Sequence, residues 1–217
     1  MTVPPAAVLA DRRLYLCTPD RPDLEVFLEA CIRGGVDLVQ LREKRLEARP
    51  LVARAGAALR VCRNHGVPFV VNDRPDVALA VGADGVHVGQ DDVSPAVARH
   101  VLGPGAIVGL STHSPAELAA SVAEPVDYVS AGPVEPTPTK PGRPGTGTAY
   151  VTEAASRAGR PVFVTGGVRP ETVPALVAAG ARRFVVVRYL TGARDPEEAA
   201  RRLSASIDDA LAHAAEA

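Results

Sequence analysis

One pattern recurs four times along the chain. A stretch with helical spacing ends in Gly or Pro, and a small apolar residue, a polar residue and an apolar run follow. It occurs at Gly35-Val36-Asp37-Leu38-Val39-Gln40-Leu41, at Gly82-Ala83-Asp84-Gly85-Val86-His87-Val88, at Pro125-Val126-Asp127-Tyr128-Val129-Ser130, and at Gly180-Ala181-Arg182-Arg183-Phe184-Val185-Val186-Val187. Glycine suits the position just past a helix end, where the backbone turns left-handed. Four more apolar runs lie between these, at Leu14–Cys17, Pro68–Asn72, Ala106–Ser111 and Pro161–Thr165. Together they predict eight short strands in two interleaved sets.

Helical patterns separate the strands. Leu51, Val52, Ala55, Ala58, Leu59 and Cys62 repeat at close to 3.6 residues and predict a helix over Arg49–His65. Ser114-Pro115-Ala116-Glu117 reads as a capping box with Pro at the first helical position. Asp195-Pro196-Glu197-Glu198 does the same for a last helix over Pro196–His213, and Ser94-Pro95 opens another. Pro174 interrupts the pattern over Pro170–Ala179 and leaves that helix start unmarked. Strands alternating with helices imply βαβ units and a parallel sheet. Eight such units in 217 residues imply one closed domain, a single-domain (β/α)8 TIM barrel. A doubly wound open sheet competes, but no G-x-G-x-x-G follows the first strand.

Composition narrows the function classes. Hydrophobic residues make up 47% of the chain and aromatics 4%, a core of small aliphatics suited to helices on a parallel sheet. The formal net charge is −1, which argues against a nucleic-acid or anionic-membrane partner. No apolar run is long enough to span a bilayer. The first ten residues, rich in Ala and Pro, do not read as a signal peptide and are expected to be mobile. Cys17, Cys31 and Cys62 are odd in number, with no CxxC, and read as reduced, mostly buried thiols of a cytoplasmic protein. A homo-oligomer is compatible with all of this.

Barrel active sites lie at the C-terminal ends of the strands, so the residues following each strand are the candidates. After the second comes Gln40-Leu41-Arg42-Glu43-Lys44, where residues 40, 42 and 44 share parity and aim an amide and two cations at one place. Two convergent cations suit a phosphate; the plainer alternative is a solvated charged turn. Asn72-Asp73-Arg74 follows the third strand and Gly89-Gln90-Asp91-Asp92 the fourth. Asp73 and Asp92 could share a Mg2+ ion or simply cap the next helices. Ser111 could donate to a phosphate oxygen or cap a helix, and His113 reads as a surface residue. The sixth strand is followed by an irregular stretch over 132–147 with Thr137, Pro138, Thr139 and Lys140. A loop of that length in a compact barrel usually binds or covers a ligand. Thr165-Gly166-Gly167 and Val187-Arg188 end the last two strands, a common phosphate position in this fold. His65, His87, His100 and His213 show no metal-ligand spacing and read as structural or surface residues.

The set Gln40-Leu41-Arg42-Glu43-Lys44, Asn72-Asp73-Arg74, Gly85 to Asp92, Gly109-Leu110-Ser111, Gly132 to Lys140 and Gly166-Gly167 resembles the thiamine phosphate synthase (thiamine-phosphate pyrophosphorylase) family, over about Leu14 to Leu203. The resemblance implies an enzyme that joins hydroxymethylpyrimidine diphosphate to hydroxyethylthiazole phosphate, giving thiamine phosphate and pyrophosphate through a pyrimidine carbocation. It assigns Gln40 and Asn72 to the pyrimidine substrate. Arg42, Lys44, Ser111 and Lys140 would act on the departing diphosphate as the catalytic set. Leu41 and Glu43 are carried over with the same run. Asp73 and Asp92 would hold the Mg2+ cofactor. Thr137, Pro138, Thr139, Gly167, Val187 and Arg188 would hold the thiazole phosphate. Many family members have Ser-Ala where this chain has Arg188-Tyr189. Two alternatives use the same barrel: a thiazole tautomerase-like paralogue with His113 as acid/base, and a non-catalytic barrel that binds thiamine precursors.

Overall fold

A computed structural model describes residues 4–137 and 144–216. Eight strands, β1 (Leu14–Thr18), β2 (Leu38–Leu41), β3 (Phe69–Asn72), β4 (Gly85–Val88), β5 (Ile107–Thr112), β6 (Tyr128–Ala131), β7 (Val162–Thr165) and β8 (Arg183–Val186), close into a parallel barrel in sequence order. β8 pairs with β1 through Leu14↔Phe184 to Leu16↔Val186, so the sheet has no free edge. All four β-strands that follow the recurring pattern form, but each begins about three residues inside it, after the turn has been completed.

Crossover helices follow each strand: α2 (Leu24–Arg33), α3 (Ala48–Asn64), α4 (Pro75–Val81), α5 (Pro95–Leu102), α6 (Pro115–Ser121), α7 (Gly147–Arg157), α8 (Val173–Ala178) and α10 (Pro196–Glu216). A single-turn helix, α9 (Arg188–Thr191), sits between β8 and α10, and α1 (Pro5–Leu9) precedes β1. Ser94, Ser114 and Asp195 accept the backbone N–H three residues on, from Val97, Glu117 and Glu198. The box at Ser114 is offset, because Glu117 reaches back to the N–H of His113 and not to that of Ser114. Pro174 lies in the first turn of α8, where a missing N–H costs nothing.

The recurring aspartates have one mechanical role. Asp37 accepts from the N–H groups of Arg13 and Leu14, Asp84 from that of Phe69, and Asp127 from that of Val108. Each carboxylate standing before an even-numbered strand thus ties down the start of the preceding odd one, at the N-terminal end of the barrel. Arg182 occupies this position in the fourth repeat and instead donates to the Val177 and Ala181 carbonyls.

Two apolar clusters fill the molecule. The larger lies between the strands and the helices; the smaller lies inside the barrel, with Leu9, Tyr15, Leu38, Val70, Ile107, Tyr128, Phe163 and Val185. Leu9 is fully buried in the inner cluster, so for Pro5–Leu9 a helix that plugs the barrel replaces the mobile segment expected from composition. All three cysteines are buried thiols outside any disulfide, as read from their spacing, and burial pushes the Cys31 and Cys62 thiols up to about 12. No helix among the described residues is long and apolar enough to cross a membrane.

Candidate active site

Period-two alternation sends every second strand residue into the barrel. The register pairs Gln40 with Val70, Asn72 with His87, Ser111 with Ser130, and Thr165 with Val185, all on the inner face. Along the barrel axis the lining therefore changes from Leu38, Val70 and Ile107 to Gln40, Asn72, His87, Ser111 and Ser130 toward the C-terminal end. These polar groups surround a cavity of about 70 Å3, also lined by Tyr15, Cys17 and Arg42.

The lining is cross-linked by hydrogen bonds. Gln40 Nε2 donates to the Tyr15 hydroxyl, and its Oε1 accepts from the Cys17 thiol at 3.3 Å. The Tyr15 and Tyr128 hydroxyls are 2.9 Å apart. Tyr128 and Ser111 lie 2.9 Å from His87 Nδ1 and Nε2. Burial holds both phenols above their ordinary range, so both keep their protons. Asn72 departs from this pattern. Its Nδ2 is buried with no partner among the described residues, an omission that costs about 1–3 kcal/mol unless a ligand supplies an acceptor.

Directly after the cavity residue Asn72, Asp73 has φ 61°, a left-handed conformation unusual outside glycine. It does not cap α4, whose N-cap residue is Arg74. Instead its Oδ2 meets Lys44 Nζ at 2.7 Å and its carboxyl group contacts that of Asp92. Burial and the neighbouring Asp92 raise the Asp73 pKa against the pull of Lys44. Burial opposes ionisation of Asp92 as well, but hydrogen bonds from Asp73 and the Gly89 N–H, with the charge of Lys44, outweigh it and hold Asp92 low. Two hard oxygen donors facing each other, with burial and mutual repulsion opposing ionisation of one of them, are a donor set that Mg2+ fits. Among the described residues no cluster of three or more His, Cys, Asp or Glu forms.

A second cavity, of about 310 Å3, adjoins the first, and Thr165, Val185 and Val187 line both. Its other walls include Thr137, Gly166, Gly167, Arg169, Arg188 and Tyr189. Gly166 and Gly167 have φ 94° and 78°, and a Cβ at either would collide with Pro133 or with the Glu135 carboxylate. That carboxylate makes a two-pronged ion pair with Arg169, at 2.8 and 3.2 Å, joining the loops after β6 and β7.

The sequence candidates divide accordingly. Gln40, Arg42, Asn72 and Ser111 meet at the smaller cavity, Lys44, Asp73 and Asp92 meet one another on the segments following β2, β3 and β4 without lining it, and Thr137, Gly167, Val187 and Arg188 meet at the larger one. Pro138, Thr139 and Lys140 lie outside the described residues. The Leu41 side chain belongs to the outer core, and Glu43 accepts the Arg45 N–H at 2.6 Å, so neither side chain joins a cavity. Parity selects only residues 40, 42 and 44; Leu41 and Glu43 come with the run carried over from the resemblance. His113, read as a surface residue, is half-buried, its Nδ1 meets the Gly132 carbonyl, and it lines neither of these two cavities. Sequence reading missed His87, Tyr15, Ser130 and Arg169. For His87 a signal existed, since a polar residue in phase with Gly85 inside a buried strand must face the barrel axis.

Comparison with known proteins agrees with this geometry. The family model for thiamine monophosphate synthase matches residues 14–190. A thiamine-phosphate synthase of Mycobacterium sp. (strain KMS) is 48% identical, over 94% of this chain and 96% of its own length. One from Thermus thermophilus is 49% identical, over 88% and 95%. The solved structure of a thiamine phosphate pyrophosphorylase from Pyrococcus furiosus superposes with a TM-score of 0.84 at 29% identity, covering 92% of this chain and 96% of that one. With nearly the whole barrel matched, the chain belongs to the thiamine monophosphate synthase family.

Proposed function

We propose that the two adjoining cavities are the two substrate sites of a thiamine-phosphate synthase, a transferase that joins a pyrimidine diphosphate to a thiazole phosphate and releases pyrophosphate. The observation that carries this reading is the shared wall. Thr165, Val185 and Val187 line both cavities, so ligands in the two would meet edge to edge. The unpartnered Asn72 amide and Gln40 suit the heteroatoms of the pyrimidine ring. Arg42, Lys44 and Ser111 supply positive charge and a donor for the diphosphate, and the resemblance adds Lys140. Preorganised charge of this kind is usually the largest single contribution to expelling such a group. Mg2+ held by Asp73 and Asp92 would act as a Lewis acid on the diphosphate oxygens.

As the C–O bond to the diphosphate breaks, both its electrons leave with the oxygen and the pyrimidine methylene becomes a carbocation. The thiazole nitrogen supplies the pair that forms the new C–N bond. The thiazole phosphate rests in the larger cavity, against Gly167, Thr137, Val187 and Arg188, with Pro138 and Thr139 assigned to it by the resemblance alone. The loop after β6 excludes water, which would otherwise capture the cation. No general base is needed, because the nucleophile is already neutral. His113, the acid/base of the tautomerase alternative, is engaged at the base of that loop.

The test is pyrophosphate release from hydroxymethylpyrimidine diphosphate, with and without thiazole phosphate and Mg2+. Release is expected to require both, and to fall on the order of a hundredfold in Asp92→Ala. Absence of release under every condition would refute the synthase reading.

A further inference from the structure

The hydrogen bonds beneath the smaller cavity join into one chain that crosses the barrel from Gln40 through Tyr15, Tyr128 and His87 to Ser111. Its two ends were anticipated as substrate-binding residues; its three middle members have no part in the reaction as described so far. What they can do follows from counting protons. An amide nitrogen only donates, and a hydroxyl has one proton to give.

The orientation of Gln40 sets the starting point. Its Oε1 takes the Cys17 thiol, and turning the amide over would set N–H against sulfur, a poor acceptor. Gln40 therefore donates to Tyr15. The Tyr15 hydroxyl is fully buried, and its other partner among the described residues is Tyr128, so its proton goes there. Tyr128 then passes its own proton to His87 Nδ1. With Nδ1 accepting, the imidazole carries its proton on Nε2 and donates to Ser111. Ser130, 3.4 Å away, also donates to Ser111, so the Ser111 proton is left for the cavity. The opposite direction would leave the Tyr15 proton without an acceptor among the described residues.

We propose that Tyr15, Tyr128 and His87 are positioning residues, a one-way hydrogen-bond chain that fixes the Nε2–H tautomer of His87 and turns Ser111 into a donor toward the departing diphosphate. Only the last step rests on the synthase reading. The tautomer belongs to the barrel itself.

The test uses full-length protein labelled with nitrogen-15 histidine, with the His87 signals identified by their loss in His87→Gln. The wild type should show a protonated Nε2 and an accepting Nδ1. In Tyr128→Phe the Nδ1 donor is gone, and the His87 pattern should shift toward a mixture of tautomers. Turnover should fall roughly tenfold while KM for the pyrimidine diphosphate changes less than about threefold. Because Tyr128 acts through Ser111, Tyr128→Phe added to Ser111→Ala should cost little more than Ser111→Ala alone. Tyr15→Phe, which cuts the chain one link earlier, repeats the measurement should Tyr128→Phe not fold. A wild-type His87 protonated on Nδ1 would overturn the proposal. So would a phenylalanine variant that loses thermal stability yet keeps the tautomer and kcat, the signature of a merely structural role. A wild type with no synthase activity would count against the functional reading alone, since the nitrogen-15 spectrum still decides the direction of the chain.

Discussion

A methyl group at Gly109 would lie 2.1 to 2.4 Å from the ring and hydroxyl of Tyr128. The absence of a side chain on β5 is therefore what lets the phenol reach His87. Gly109→Ala should lower stability by about 1–3 kcal/mol in urea unfolding, from forced overpacking, and should slow pyrophosphate release with it. The Asp73–Asp92 pair has a different consequence. Because burial and Asp92 raise the Asp73 pKa, a proton must leave before a cation can take both carboxylates. Mg2+ affinity measured by calorimetry should then strengthen as pH rises through that pKa, with proton release on binding. A pH-independent affinity would remove Asp73 from the metal site. Arg188 lines the larger cavity from an exposed position, so Arg188→Ala should raise KM for thiazole phosphate about tenfold and leave that for the pyrimidine diphosphate unchanged.

At the scale of elements, the aspartate ties can be tested one at a time. Asp37→Ala leaves the N–H groups of Arg13 and Leu14 without their acceptor, at a cost of about 1–3 kcal/mol. Burial raises the Asp37 pKa from 3.8 to about 6 despite those two donors. A folded-state value above the unfolded one means that the contribution is fully present below about 3.8 and is lost as pH rises through about 6. The stability gap between wild type and Asp37→Ala should therefore narrow from pH 4 to pH 7 in urea titrations. The strands themselves were legible in the sequence because a buried parallel strand is a short apolar run bounded by turn residues. The role of Asp37, Asp84 and Asp127 was not, although their repetition was plain. Each acts on a strand some twenty residues away, and spacing alone carries no information about which N–H a carboxylate will meet.

For the molecule as a whole, what the sequence revealed of the site also divides by distance. Gln40, Arg42, Asn72 and Ser111 could be read because each lies at or just past the end of a strand, where alternation fixes its direction. His87 could not be weighed properly. Its partners, Ser111 on the adjacent β5 and Tyr128 on β6 two strands away, lie 24 and 41 residues off and meet it only in the folded sheet. The same holds for Arg169 and Glu135, which meet between two loops.

Ring closure also bears on how the chain comes into being. β1 is among the first strands to leave the ribosome, yet its partner along one side is β8, the last strand made. At translation speeds of roughly 5–20 residues per second, the raw side of β1 waits on the order of ten seconds or more for that partner. Throughout that interval Leu14–Thr18 offers unpaired amides to any passing strand, and Leu9 has no finished floor to plug. The nascent chain is therefore most open to mispairing just before it is complete, and a stall before Arg183 is where holdase protection would matter most.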